Sequence, residues 1–291
     1  MVDQPQAQTY SKTAQNSVNR YRHLSNYDAA TIHSIVNSVP VAHVSFINPE
    51  TPTPVVLPMM VRIGHYPGAD EEDDGSVACY MHGSATARLF RPPPPSQSGQ
   101  EEAVENGGGV RVCIAATKIL GLVLTLTPYS HTYAYRSAIL HGHATVLDAA
   151  HDSSRTELLW ALQLLTDGAL PGRWDNCRTP PDETELRATR VLKVRIDSAS
   201  AKISEEGGEQ AKDLKDECSR RTTWTGVVPF FEVLGEPQAA PTNRAGAVPP
   251  YIREYISNHN GEELARNRPE ASLLDTVSSL FSGALAWVLG R

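Results

Sequence analysis

Tyr133-Ala134-Tyr135-Arg136-Ser137-Ala138-Ile139-Leu140-His141-Gly142-His143-Ala144-Thr145-Val146-Leu147 is the stretch whose reading decides the fold. Successive side chains of an extended strand point to opposite faces, and this run keeps its alternation throughout. Tyr133, Tyr135 and Ser137 fall on one face; Ala134, Ala138 and Leu140 fall on the other, with Arg136 among them. The guanidinium of Arg136 is therefore expected to be partly buried and paired, because a charge taken out of water needs a partner. Just upstream, 110–117 and 119–126 read as strands. Just downstream, 153–166 reads as a helix with Leu158, Leu159, Leu162 and Leu165 as its apolar stripe.

Further out, a helix starting near Ser25 or Asn26 shows Ile32, Ile35, Val36 and Val39 on one face and stops before Pro40. Strand patterns recur at 41–47, 55–63, 76–82, 191–196, 199–204 and 224–233. Strands do not alternate regularly with helices, which argues against a doubly wound parallel sheet. The pattern predicts a mainly β fold, a closed or partly closed β-barrel with peripheral helices. The polar residues 1–19 read as a flexible N-terminal arm and 20–238 as the barrel. The run 91–109, with its prolines and glycines, reads as a surface insertion. Residues 239–291 read as a C-terminal helical extension, with helices at 251–257 and 273–289. The second of these is apolar, expected to dock on the barrel or on a dimer partner. It has almost no Lys or Arg to meet anionic lipid, so a membrane role is disfavoured.

Composition narrows the function. The net charge is −7, from 26 basic and 33 acidic side chains, and no basic face offers itself to a phosphate backbone, so nucleic acid is not an expected partner. Cys79, Cys113, Cys177 and Cys218 are scattered without C-x-x-C spacing, which disfavours a disulfide scaffold or a zinc site and favours buried free thiols. No apolar stretch at 1–15 looks like a secretory signal and no run is long enough to span a bilayer, so a cytoplasmic location is expected.

Two segments carry candidate chemistry. In Tyr80-Met81-His82-Gly83-Ser84-Ala85-Thr86-Ala87-Arg88 a strand ends in a small-residue turn that leads to an arginine. Backbone N–H groups of such a turn, with Ser84, Thr86 and Arg88, suit a phosphate. The second segment is Tyr133–Ser137 on the long strand. His141-x-His143 places two imidazoles on one face, a spacing that suits a metal; no third ligand is evident, and two satisfied or exposed histidines are the better account. Arg187, Arg190, Lys193 and Arg195 form a modest basic cluster, read as a solvated face. Gly107-Gly108-Gly109 lacks the Lys-Ser/Thr of a phosphate loop, and no G-x-S-x-G marks a serine hydrolase.

At these residues the chain resembles the pyridoxamine 5'-phosphate oxidase-like FMN-binding split barrels. The branch it looks most like is that of the flavin-nucleotide-binding proteins, with the nitroimidazole-resistance reductases. The likeness runs from about Arg20 to Glu236. It rests on an ordered series: Asn19-Arg20-Tyr21-Arg22, Val56-Leu57-Pro58-Met59, Tyr80–Ser84, Tyr135-Arg136-Ser137 with His141-Gly142, Ser200-Ala201-Lys202, and Trp224-Thr225-Gly226-Val227-Val228-Pro229. The resemblance implies an antiparallel split barrel, a homodimer, and FMN in a cleft between subunits. It implies that Thr86 and Arg88 hold the flavin phosphate and that His82 and Gly83 lie beside ring and ribityl chain, with Ser84 in the same cofactor-binding segment. Met59 and Met60 would line the isoalloxazine with backbone, Arg136 and Ser137 would reach the cofactor, and Trp224 would approach it from the partner. Thr125-Leu126-Thr127 departs from the pattern, since relatives more often carry an arginine there.

An FMN-dependent oxidoreductase acting on a small organic acceptor, nitro, quinone or similar, is the leading expectation. His82 is its candidate proton donor and NAD(P)H its candidate electron source. The alternative is a non-catalytic flavin- or haem-binding protein, since related split barrels bind haem. A third reading is an interaction protein that kept the barrel and lost its cofactor.

Overall fold

The computed structural model describes residues 8–48, 51–69, 77–90, 109–147, 152–205 and 212–266. The expected helix at 273–289 and the insertion at 91–109, Gly109 excepted, lie outside them. In chain order the elements are β1 (Ser25–Asn26), α1 (Ala29–Ser38), β2 (Ala42–Ile47), β3 (Pro54–Met59), β4 (Val61–His65), β5 (Val77–Ser84), β6 (Val110–Leu124), β7 (Thr132–Val146), α2 (Asp152–Ala169), α3 (Glu183–Ala188), β8 (Thr189–Ser204), α4 (Glu217–Thr222), β9 (Gly226–Pro229) and α5 (Pro250–Arg266). The two strands expected at 110–126 are one, and so are the two at 191–204. Local irregularities at Leu120 and Asp197 interrupt the pairing without ending the strand.

The strands pair in the order β3-β2-β6-β7-β8-β5-β4, with β1 added on β8 and β9 on β6. The two outer strands of this path, β3 and β4, are consecutive in sequence and separated by Met60 alone. One residue cannot bridge the width of a flat seven-strand sheet, whose neighbouring strands lie about 4.8 Å apart. The sheet therefore curls until its edges meet at Met60. The chain changes partner there, from β2 to β5, so the barrel is closed by the backbone rather than by a ladder. It is a split barrel.

Alternation sets its layers. Ala42, Val44 and Phe46 of β2, Val112, Ile114 and Ala116 of β6, and Ala138 and Leu140 of β7 share one core with Ile32, Ile35 and Val36 of α1 and with Val39 just past its end. Asp28 caps α1, accepting from Thr31 N at 2.8 Å and Thr31 Oγ1 at 2.7 Å. Ala78, Tyr80 and Val191 point the other way, against Leu158 and Ala161 of α2. Gly64 admits this helix: a Cβ there would lie 2.8 Å from Leu164. Tyr80 donates to Glu157 Oε1 at 2.6 Å, and Lys193 Nζ approaches the same oxygen at 3.0 Å. Arg62, buried between the two helices, donates to Val39 O (3.2 Å) at the end of α1 and to Gly168 O (2.6 Å) at the end of α2.

Two expectations need correction. The described part of the N-terminal arm is docked. Tyr10 packs on the core and bonds His33 at 2.7 Å, and Asn16, 3% exposed, donates to Ala199 O at 3.0 Å. A polar segment is held there because its donors find buried backbone acceptors, which composition does not reveal. The thiols are free, but only Cys79 is buried; Cys113 is half-buried, and Cys177 and Cys218 are exposed. The chain divides into two compact units, 1–228 and 229–291. In the second unit the Asn260 amide clamps the backbone of Leu234, accepting from its N–H at 2.7 Å and donating to its carbonyl at 2.8 Å. No helix among the described residues is long and apolar enough to cross a membrane.

Candidate functional site

β5 carries the first group of expected residues to its end. A Cβ on Gly83 would lie 2.5 Å from the Phe90 ring, so glycine is what lets the turn fold back on the strand. Ser84 Oγ and Thr86 Oγ1 stand 2.8 Å apart, and both residues are exposed. Arg88 opens the helical turn Arg88–Phe90, is exposed, and has no hydrogen-bond or ionic partner among the described residues. The backbone differs from expectation. Amides of Ala85, Ala87 and Phe90 are taken by Ala188 O, Ser84 O and Ala87 O, and Thr86 N by Ser84 Oγ. These four amides are satisfied within the protein, as those of a folded turn tend to be, so the turn's main offer to an anion is its side chains. Arg190, read from sequence only as part of a basic patch, sits opposite Gly83 and locks the turn by donating to Phe90 O at 2.6 Å. Lys193 and Arg195 of that patch are paired with Glu157 and Asp197.

Met59 and Met60 belong to the same end of the barrel. Val61 pairs with Met81, so Met60, one residue earlier, lies beside His82 in register. His82 is half-buried, and burial holds its pKa below the ordinary 6.5. It is neutral at pH 7, which suits it to accept a proton or hydrogen-bond a ring atom better than to donate from an imidazolium.

Arg136 and Ser137 are elsewhere. Ser84 and Gly83 pair with Thr189 and Arg190 of β8, whereas Ser137 and Arg136 pair with Lys202 and Ile203. Some 12 residues of β8, roughly 35–40 Å of extended strand, separate the two groups. Arg136 is paired as expected but exposed rather than buried: it faces the last residues of β8, where the chain leaves the sheet and supplies Glu205, whose Oε1 accepts from Arg136 Nε at 2.6 Å. Ser137 donates to Lys202 O at 3.2 Å. Close by, Lys202 Nζ lies 5.4 Å from the ring centre of Tyr21 and 6.0 Å from that of Tyr135. Trp224 stands 65% exposed against its own Gly226, whose φ of 153° and absent Cβ leave room for the indole.

Between these ends lies a cleft of about 420 Å³ absent from the sequence expectation as a site, lined in part by Gln15, Arg111, Cys113, His141, His143 and Asp197. Arg111, His143 and Arg195 face one another across β6, β7 and β8. His143 Nδ1 meets Asp197 Oδ2 at 2.6 Å, and Arg111 Nε donates to His143 Nε2 at 3.4 Å. His141 pairs with Cys113, and burial lowers its pKa. The His-x-His spacing was the one signal of this cleft in the sequence; among the described residues no set of three His, Cys, Asp or Glu could hold a metal ion.

Residues 28–203, more than half of the chain and nearly all of the strands from β2 to β8, match the family model described as pyridoxamine 5'-phosphate oxidase. The chain belongs to this family. Among solved structures, the flavocytochrome Anf3 from Azotobacter vinelandii is 27% identical with a TM-score of 0.59, covering 84% of this chain and 97% of its own. The FAD and heme binding protein from Mycobacterium smegmatis is 24% identical with a TM-score of 0.58, covering 80% and 97%. A candidate 5-nitroimidazole antibiotic resistance protein from Bacteroides thetaiotaomicron is more distant, 18% identical with a TM-score of 0.41 over 62% of this chain and 86% of its own. No curated protein matches the chain.

Proposed function

We propose that this member of the family binds a flavin nucleotide, FMN, at the end of β5 and uses it to oxidise or reduce a small organic molecule. The observation that carries the reading is the Arg88 guanidinium, exposed and unpaired among the described residues on the same short turn as the Ser84 and Thr86 hydroxyls. A terminal phosphate is the ligand this trio fits, because a guanidinium takes two phosphate oxygens at once and hydroxyls donate to the others. Met59, Met60, His82 and Gly83 share that end of the barrel and would flank the remainder of the nucleotide. When bound, the flavin supplies electron transfer, and the protein supplies orientation and electrostatics. A neutral His82 would exchange a proton with ring or substrate.

Arg136, Ser137 and Trp224 enter the same reading through a second copy of the chain. Arg136 and Ser137 lie too far along β8 to join Arg88 in one subunit, so a site that uses both groups is shared in a homodimer. NAD(P)H is the proposed electron donor, and nitro or quinone compounds are the acceptors to test. Mass identification of the ligand released on heating, with the visible spectrum before release, tests the binding. One FMN per chain, lost in Arg88→Ala with the fold intact, supports it; a colourless protein that refuses added FMN overturns it.

A second reading, a flavin- or haem-binding protein without turnover, is favoured by one observation. The flavocytochrome relative matches nearly the whole of its own length and most of this chain. A Soret band beside or instead of the flavin band separates the two readings.

A further inference from the structure

We infer that the cleft over the middle of β6, β7 and β8 binds a small organic monocarboxylate on the outward edge of the Arg111 guanidinium, which His143 and Asp197 hold in place. Asp197 stands seven residues along β8 from Arg190, the anchor of the Arg88 turn. That is roughly 20–25 Å of strand, so the site is separate from the proposed flavin site and needs no cofactor.

A bulge begins the geometry. His141 pairs with Ser198 and Gly142 with Ile196, so Asp197 is an extra residue on β8 with no partner on β7. Bulges re-aim a side chain, and here Asp197 Oδ2 meets His143 Nδ1 at 2.6 Å. Its other oxygen accepts from Arg195 Nε at 3.0 Å. Gly142 leaves room for the crossing: a Cβ there would lie 2.0 Å from Arg195 O. His143, 8% exposed, pairs in register with Arg111, whose Nε donates to His143 Nε2 at 3.4 Å. A guanidinium has donors and no acceptor, so Nε2 is the unprotonated nitrogen, and the ring proton on Nδ1 is given to Asp197. The relay runs one way, from a carboxylate fixed in the sheet to a guanidinium at the cleft.

With Nε–H engaged, Arg111 keeps the edge formed by Nη1 and Nη2. Neither nitrogen has a hydrogen-bond or ionic partner among the described residues. Two parallel N–H groups of this kind take the two oxygens of a carboxylate. A solvated arginine has no need of a buried imidazole behind it; a guanidinium locked by hydrogen-bonded neighbours is what a binding site requires.

Charge and size narrow the ligand. Arg195 is committed to Asp197. Burial lowers the pKa of His141 below the ordinary 6.5, so its ring is neutral at pH 7, and burial raises that of the Cys113 thiol. One positive charge is left in the cleft, which matches a monocarboxylate better than a phosphate dianion. Gln15, Ser45 and His141, also in the lining, offer neutral polar groups to the rest of the molecule. A volume of about 420 Å³ is near the lower end for ligand pockets and suits a molecule of few atoms.

Cys113 supplies the test, because its thiol lines the cleft two positions from Arg111 on the same strand face, roughly 7 Å away. Iodoacetate and iodoacetamide differ only in carboxylate against amide. Alkylation of Cys113 in the full-length protein at pH 8 is timed by peptide mass spectrometry; unreacted Cys79, buried in the core, certifies that each variant is folded. The iodoacetate rate should saturate with reagent while the iodoacetamide rate rises linearly. Arg111→Gln should lower the iodoacetate-to-iodoacetamide ratio about tenfold, the worth of a charge-assisted hydrogen bond. Arg111→Lys, which keeps the charge and loses the fork, should fall nearly as far, and Asp197→Asn part of the way. Acetate should protect Cys113 from iodoacetate, and inorganic phosphate at equal concentration should not. Linear iodoacetate kinetics in the wild type, or a ratio unchanged in Arg111→Gln, overturns the assignment; so does a thiol that neither reagent reaches, since the cleft is then closed to molecules of this size. Protection by phosphate equal to that by acetate overturns the carboxylate class.

Discussion

At Gly142 the absence of a side chain decides a local structure. Alanine would place its methyl 2.0 Å from Arg195 O, a backbone atom that cannot move without breaking the β7–β8 ladder. Gly142→Ala is expected to cost about 1–3 kcal/mol, the usual range for overpacking, read as a lower midpoint in urea. Titrating residues give a further prediction at this scale. Burial lowers the pKa of His33, His82 and His141 below the ordinary 6.5. Folded pKa values depressed in this way mean that the unfolded chain binds more protons; stability is fully present above pH 6.5 and is lost as pH falls through the folded values. The melting temperature of the cofactor-free protein should therefore drop between pH 7.5 and 5, and His33→Gln should flatten part of that slope. A melting temperature that rises over the range would contradict the burial of these rings.

Elements were legible in the sequence where a periodicity ran long and unbroken. The alternation through 133–147 and the stripe of Leu158, Leu162 and Leu165 are read straight from residue types, because one face of each must be apolar. Three things were not legible. Docking of the arm depends on Asn16 meeting Ala199 O across 183 positions, which no local pattern encodes. Union of the strands at 119 and 197 depends on bulges, which single-sequence alternation reads as breaks. The dispersal of the candidate site follows from β8 lying between β5 and β7, a pairing invisible until the sheet order is known. Arg62 shows how an element boundary is fixed by a residue far from it. It donates to the last carbonyls of both α1 and α2, which a helix end otherwise leaves open. Arg62→Met keeps the length and removes the donors. The expected loss is about 1–3 kcal/mol, the cost of a buried acceptor left unsatisfied, measured by urea unfolding with the far-ultraviolet dichroism unchanged.

For the whole molecule, the proposed flavin site depends on a length. Arg88 and Arg136 sit at opposite ends of the barrel's longest strand, so one chain cannot bring both to one nucleotide, and a two-fold dimer can. In such a dimer each site takes the Arg88 group from one chain and the Arg136 group from the other, by the reciprocity of an isologous interface. Arg88→Ala and Arg136→Ala homodimers should each bind FMN weakly at both sites. In a hybrid of the two, both lesions fall in one site and the other is intact. Unfolding the variants together and refolding them in equal amounts gives hybrids as half of the dimers, so about a quarter of the wild-type FMN content should return. Recovery at that level, with neither parent recovering alone, requires residues from both chains in one site. If the mixture binds no more FMN than the parents, each chain builds its own site and the role proposed for Arg136 and Ser137 is wrong, while the Arg88 turn would stand or fall on its own variant.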